Sequence, residues 1–212
     1  MTDIKPVKNF LERDNVKKRF EDLLWKRAWS FLTSVMWAVS ASKQLANADP
    51  MSVYTSALVA ATLDLPINPN LWFAYIVPYK WQAQFQMWYK GFIQLAQRSG
   101  LFKTISATPV YEWQIVSEDP LQGFEFERKA KENDNIVGYA SYFKLLNWFE
   151  KTLYMTIEEL KQHGIKFSAS YKRWYGLWKD DFDSMAIKTV LKLLLSKYAP
   201  LSVEMQTAVT TD

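Results

Sequence analysis

Trp178-Lys-Asp-Asp-Phe-Asp-Ser-Met185-Ala-Ile-Lys188-Thr189-Val-Leu-Lys192-Leu-Leu-Leu-Ser-Lys197-Tyr198-Ala-Pro200 is the stretch whose reading decides the fold. Phe182, Met185, Ala186, Thr189, Val190, Leu193 and Leu194 recur at i, i+3, i+4, i+7, i+8, i+11 and i+12, one continuous helical face. Lys188 and Lys192 stand one turn apart on another face, and Lys197 follows at the end. The spacing predicts a helix over about 180–198 that packs on a core and shows a cation row to a polyanion. Asp180, Asp181 and Asp183 gather where the positive end of its dipole lies, and Pro200 ends the pattern.

Working back toward the N-terminus, residues 164–177 are a basic, aromatic connector. Thr156-Ile-Glu-Glu159 has the spacing of a capping box for a helix to about His163. Strands are expected near 150–155, 136–145 and 104–116, with a hairpin at Leu146-Asn147-Trp148 and a charged, solvated and mobile loop over 117–134. Tyr89–Arg98 reads as a helix capped by Gly100. Leu71–Tyr79 and Ala83–Met87 are aromatic and β-branched, with a short turn at Lys80-Trp81. Asp49-Pro50 reads as N-cap and first residue of a helix burying Val53, Ala57, Ala60 and Ala61. Before it, one long amphipathic helix over about 16–46 would bury Phe20, Leu23, Leu24, Phe31, Leu32, Val35, Met36 and Val39. Residues 1–9 read as a frayed, flexible N-terminus, and 206–212 as a flexible tail. The order is helices, strands with one helix inserted, then helices. It predicts a single α+β domain over 10–205, with a small, mostly antiparallel sheet packed by N-terminal and C-terminal helices.

Composition narrows the class. The chain has 212 residues, 49% of them apolar, enough for a real core. No uninterrupted apolar run reaches the ~18 residues of a membrane span, and the first residues lack a signal-peptide pattern. Both point to a cytoplasmic protein without a membrane partner. Cysteine is absent, which excludes disulfides and thiolate metal sites. Net charge is +4, a mild lean toward anionic partners. No G-x-x-x-x-G-K-[ST] loop occurs, which disfavours a strand-exchange ATPase.

Several blocks taken in order carry a resemblance. They are Phe10–Phe31 with Val16-Lys-Lys-Arg-Phe20; Ala60-Ala-Thr-Leu-Asp-Leu65-Pro66; Ala74-Tyr-Ile-Val-Pro-Tyr79; Tyr89-Lys-Gly-Phe-Ile-Gln-Leu-Ala-Gln-Arg-Ser-Gly100; Tyr154-Met-Thr156; and the closing segment 178–203. Together they resemble the RecT/Redβ superfamily of phage recombinases, on the RecT side. The resemblance implies an ATP-independent protein, with no cofactor and no catalytic or metal-binding residues. It would coat single-stranded DNA, pair it with its complement into an annealed duplex, and self-associate into rings or helical filaments. It would act in a bacterial host cell, beside a 5′→3′ exonuclease.

The residues suit that work. Annealing needs phosphate charge neutralised, with a salt-dependent affinity, and bases held extended by aromatic stacking. The candidate phosphate contacts are Lys80, Lys90 and Arg98 in the middle block and Lys188, Lys192 and Lys197 in the closing helix. Lys172 and Arg173 in the connector are placed to close over the strand. Tyr79 and Tyr89 are the stacking candidates.

The chain departs from that resemblance in its tryptophans. It has ten Trp and six Gly, where average usage of about 7% would give roughly fifteen glycines. Trp72, Trp88 and Trp148 stand where RecT-like chains usually have glycine, and Trp81 and Trp113 sit at turns. At Asn147-Trp148 a type I′ turn would require positive φ, which tryptophan resists. Three explanations stand open: loops reshaped to admit the rings, added stacking surface, or a sequence altered from a natural one. The chain also stops soon after the core, which leaves partner docking without an obvious segment.

Two other functions compete. The cluster Asp180, Asp181 and Asp183 could serve a metal-dependent nuclease, and the same basic surface could serve a plain single-strand-binding protein. The helix-dipole role of the three aspartates is the simpler account. His163, the single histidine, leaves no second imidazole for a catalytic pair and is expected as a cation at a helix end.

Overall fold

The computed structural model describes residues 5–119, 123–127, 135–174 and 176–211. In chain order the helices and strands are α1 (Lys5–Leu11), α2 (Asp14–Leu24), α3 (Ala28–Ala41), α4 (Lys43–Ala46), α5 (Pro50–Thr62), β1 (Ala74–Tyr79), β2 (Gln82–Met87), α6 (Tyr89–Arg98), β3 (Phe102–Tyr111), β4 (Ile115–Asp119), β5 (Gly123–Phe126), β6 (Ile136–Leu145), β7 (Glu150–Thr156), α7 (Ile157–Phe167), α8 (Ala169–Lys172), α9 (Leu177–Asp180), α10 (Phe182–Tyr198) and α11 (Val203–Thr211). The fold is α+β with small antiparallel sheets, as expected. The chain gathers into two compact units, one of residues 1–95 with 203–212 and one of residues 96–202.

In the first unit the N-terminal helices and α5 bury Val7, Val16, Phe20, Phe31, Val35, Val39, Val53 and Ala57. Phe20 packs its ring against Phe31 and Tyr54. The expected single helix over 16–46 is broken instead. Trp25 takes φ 48° and hands its N–H to the Glu21 carbonyl, so α2 ends there and a short 3-10 turn leads into α3. An L-residue in that backbone region cannot propagate a helix. Leu23 lies on the outer side of α2, while the other apolar residues expected inside are buried or, at Met36, half-buried. Residues 1–9 also differ from expectation where described, since Val7 lies fully buried in α1. The tail likewise forms α11, with Met205 and Ala208 buried.

α5 starts as predicted. Asp49 accepts the Ser52 N–H at 2.9 Å, and Pro50 takes the first turn. The Ser52 hydroxyl then accepts the Ala83 N–H at 2.8 Å, and Asp49 N–H donates to the Trp81 carbonyl, fixing the β1–β2 hairpin onto the helix start. In α6, Gly91 abuts the Phe73 carbonyl and the Met87 side chain, leaving no room for a Cβ.

In the second unit β3, β6 and β7 form one antiparallel sheet in the order β3-β6-β7. α10 lies across one face. Ser141 donates from its hydroxyl to the Val190 carbonyl at 2.9 Å, and the Tyr139 phenol donates to Asp183. Tyr139, Leu160, Ala186 and Val190 make the core between sheet, α7 and α10. The Tyr139 phenol pKa is raised, by burial first and then by its bond to Asp183. The capping box at Thr156 is present, and α7 runs on to Phe167. Within the expected 117–134 loop, the described residues instead form the hairpin β4–β5; 120–122 and 128–134 lie outside the described residues.

Candidate nucleic-acid interface

Four of the predicted contacts lie in the first unit. Tyr79 ends β1 and is exposed, and Lys80 follows it in a two-residue turn closed by the pair Tyr79 and Gln82. Lys80 has φ 56°, while Trp81 does not enter the left-handed region. Positive φ at the first central residue alone is the pattern of a type II′ hairpin, a position ordinarily held by glycine. The turn therefore pushes the Lys80 ammonium out at the tip of the hairpin. Tyr89 begins α6, half-buried, with its ring 6.4 Å from that of Trp88. Lys90 beside it is exposed.

Six predicted contacts lie in the second unit. Arg98 is exposed at the end of α6, and Lys172 and Arg173 are exposed at and just after α8. On α10, Lys197 is exposed and Lys192 half-buried, but Lys188 is only 6% exposed. The exposed row expected from Lys188 and Lys192 is therefore not what the helix presents. The reason is that α10 is covered on more than one side: Leu191 and Leu195 are buried as well as Val190 and Leu194, while Leu193 is half-buried. The periodicity found the main buried face correctly and underestimated its width.

His163 sits inside α7, not at its end, because the helix continues for another turn. Its ring packs 4.7 Å from that of Phe167. Burial holds its pKa below the ordinary imidazole value, and the positive charges of Lys192, Lys166 and Lys197 lower it further. The expected imidazolium at a helix terminus is thus replaced by a neutral imidazole facing a cation cluster. The folded state disfavours the proton, so the stabilising effect is complete above the unfolded value near 6.5 and is lost as pH falls below it. Melting midpoints measured from pH 7.5 to 5.5 should therefore fall more steeply for the native chain than for His163→Gln. Equal slopes would show that the imidazole is not the group responsible.

The acidic cluster is engaged in structure. Asp181 caps α10 by accepting the Ser184 N–H at 3.1 Å, and Asp183 takes the Tyr139 phenol. Among the described residues no group of three or more His, Cys, Asp or Glu side chains is placed to hold a metal ion.

Sequence reasoning underestimated the tryptophans. Trp72 and Trp148 do adopt positive φ, at 61° and 71°, and so do Trp25 and Trp174, both at 48°. Trp88 and Trp113 do not; Trp88 is buried against the rings of Trp72 and Tyr75. The β6–β7 connection is not a type I′ turn, because Asn147 keeps negative φ. Trp148 N–H donates to the Leu145 carbonyl at 3.1 Å and Leu145 N–H to the Phe149 carbonyl at 2.8 Å. That is a three-residue loop closed by a left-handed residue, whose usual occupant is glycine.

Exposed lysine and arginine thus stand at the tip of the β1–β2 hairpin in the first unit, and at the end of α6 and after α8 in the second, in an α+β chain. The RecT family model matches residues 30–212, and the chain belongs to the RecT family. It is 48% identical over 207 residues to the "Uncharacterized protein YqaK" of Bacillus subtilis (strain 168), covering 97% of this chain and 72% of that protein. It is 28% identical over 183 residues to "Protein RecT" of Escherichia coli (strain K12), covering 79% of this chain and 65% of that protein. Membership supports a role in recombination and single-strand annealing. Among the described residues no helix is long and apolar enough to cross a membrane.

Proposed function

We propose that this chain binds single-stranded DNA and anneals it to its complement without ATP, as an oligomeric ring or filament, and is not a hydrolytic enzyme. Family membership over residues 30–212 carries the reading. Exposed Lys80, Lys90, Arg98, Lys172, Arg173 and Lys197 supply phosphate neutralisation, half-buried Lys192 adds to it, and Tyr79 and Tyr89 supply ring surface. Buried Lys188 is not among the groups that contact DNA in this reading. The work is done in the bacterial cytoplasm, on single strands exposed by a 5′→3′ exonuclease.

Two complementary oligonucleotides, one bearing a fluorophore and the other a quencher, test it. In the presence of magnesium and the absence of ATP, the purified chain should speed quenching with both strands left intact. Strand shortening on a denaturing gel would point to the nuclease instead. Protection without faster pairing would leave only a single-strand-binding protein.

A further inference from the structure

The tip of the β6–β7 hairpin is set apart by three observations. The first is a register shift in β3 between Phe102 and Thr104, which leaves Lys103 outside the pairing with β6. A bulge of this kind re-aims one side chain. The second is convergence. Lys103 Nζ lies 4.2 Å and Lys144 Nζ 5.0 Å from the centre of the same ring, that of Trp148. Lys144 also pairs with Glu150 at 3.0 Å, so the tip carries two cations and this one paired carboxylate. Glu150 in turn accepts the Tyr142 phenol, and its pKa is lowered first by that bond and then by Lys144. The third is apolar exposure. Leu101, Leu146, Trp148 and Phe149 are 44%, 61%, 68% and 47% exposed. They are neighbours, since Leu146 N–H donates to the Leu101 carbonyl at 2.9 Å.

The sheet face that carries Lys144 extends this surface. The register puts Thr104, Ser106 and Thr108 of β3 beside Tyr142 and Lys144 of β6, opposite the face on which Ser141 meets α10. Thr104, Ser106 and Thr108 are all exposed. Hydroxyls and ammonium groups beside exposed rings match a partner that alternates anionic groups with flat apolar ones. A nucleic-acid strand has that chemistry. A second protein chain docking on the apolar tip would have to desolvate the ammonium groups beside it.

We infer that Lys103, re-aimed by the bulge, and Lys144, gathered with it at the β6–β7 tip, form a further phosphate-binding contact for single-stranded DNA, with Trp148 as the ring surface beside it. The inference rests on the DNA-binding reading above and adds a contact absent from its sequence-derived residues. Lys103 is exposed at the end of its strand and Lys144 lies at the last pair before the turn, so both can be changed without opening the core.

The test is fluorescence anisotropy of a labelled oligothymidylate across a series of KCl concentrations. It uses the native chain, Lys103→Gln/Lys144→Gln and Lys103→Arg/Lys144→Arg, with circular dichroism confirming that all three are folded. Each phosphate contact contributes about 0.7 to the single-strand salt slope, so the Gln pair should flatten it by about 1.4 and the Arg pair should keep it. A Gln pair that binds with the native slope overturns the inference and leaves the DNA-binding reading intact. A Gln pair that keeps the slope but loses self-association in sedimentation overturns it in favour of a protein interface. A native chain that does not bind the oligonucleotide overturns both.

Discussion

Replacing Trp25, Trp148 and Trp174 together by glycine should raise the stability of this protein, by about 1–3 kcal/mol net. Each of the three is an L-residue held at φ between 48° and 71°. The left-handed region costs a non-glycine residue roughly 1–2 kcal/mol, so three independent sites sum to about 3–6 kcal/mol if their effects add. The rings are 78%, 68% and 52% exposed, so what is given up is surface stacking, of Lys103 and Lys144 on Trp148 and of Tyr171 on Trp174. Some of the gain is returned as the extra unfolded-state freedom of glycine, roughly 0.5–1 kcal/mol per site. At about 2–4 °C per kcal/mol in a chain of this size, the melting midpoint should still rise measurably. Trp148→Gly alone is the sharpest single case, since the loop geometry demands a left-handed residue there. Trp88→Gly is the control: Trp88 is not in the left-handed region and is buried, so its replacement should open a cavity and destabilise. If the triple variant melts at or below the native midpoint, the turns are not strained by tryptophan.

DNA affinity should collapse with salt. If exposed Lys80, Lys90, Arg98, Lys172, Arg173 and Lys197 each neutralise one phosphate, the slope of log affinity against log salt is about −4. Raising monovalent salt from about 50 to about 200 mM would then weaken binding by roughly 300-fold. Lys80→Ala should flatten the slope by about 0.7. Lys188→Met should leave it unchanged, because that residue is only 6% exposed. A slope near zero for the native chain would mean that binding is not carried by these cations. A Lys188→Met slope as flat as that of Lys80→Ala would mean that α10 uncovers the residue when DNA binds.

Local chemistry was legible from the sequence wherever a short-range rule fixes it. Asp49-Pro50, Thr156 with Glu159, and Gly100 were found because a cap is set by the few residues around it. Strand β6 and the β1–β2 hairpin were found because their apolar and turn residues follow a short period. The helix break at Trp25 was missed because amphipathic periodicity continues through it, and only backbone conformation interrupts the helix. The hairpin β4–β5 was missed because its charged residues read as a solvated loop.

The candidate interface shows the same division. Sequence alone identified the basic residues, the absence of a nucleotide-binding loop, and the ordered blocks of a RecT-like chain. Solvent exposure of a given lysine was beyond it, since that depends on how many neighbours cover the helix. Lys188 and Lys197 look alike in the chain, yet one is buried in α10 and the other is at its open end. Lys103 drew no attention because its direction is set by a bulge across two strands, not by its neighbours in sequence. Local residue order fixed the elements and the charge inventory; tertiary packing, which alone determines which side chains meet and which meet water, decided where that charge can act.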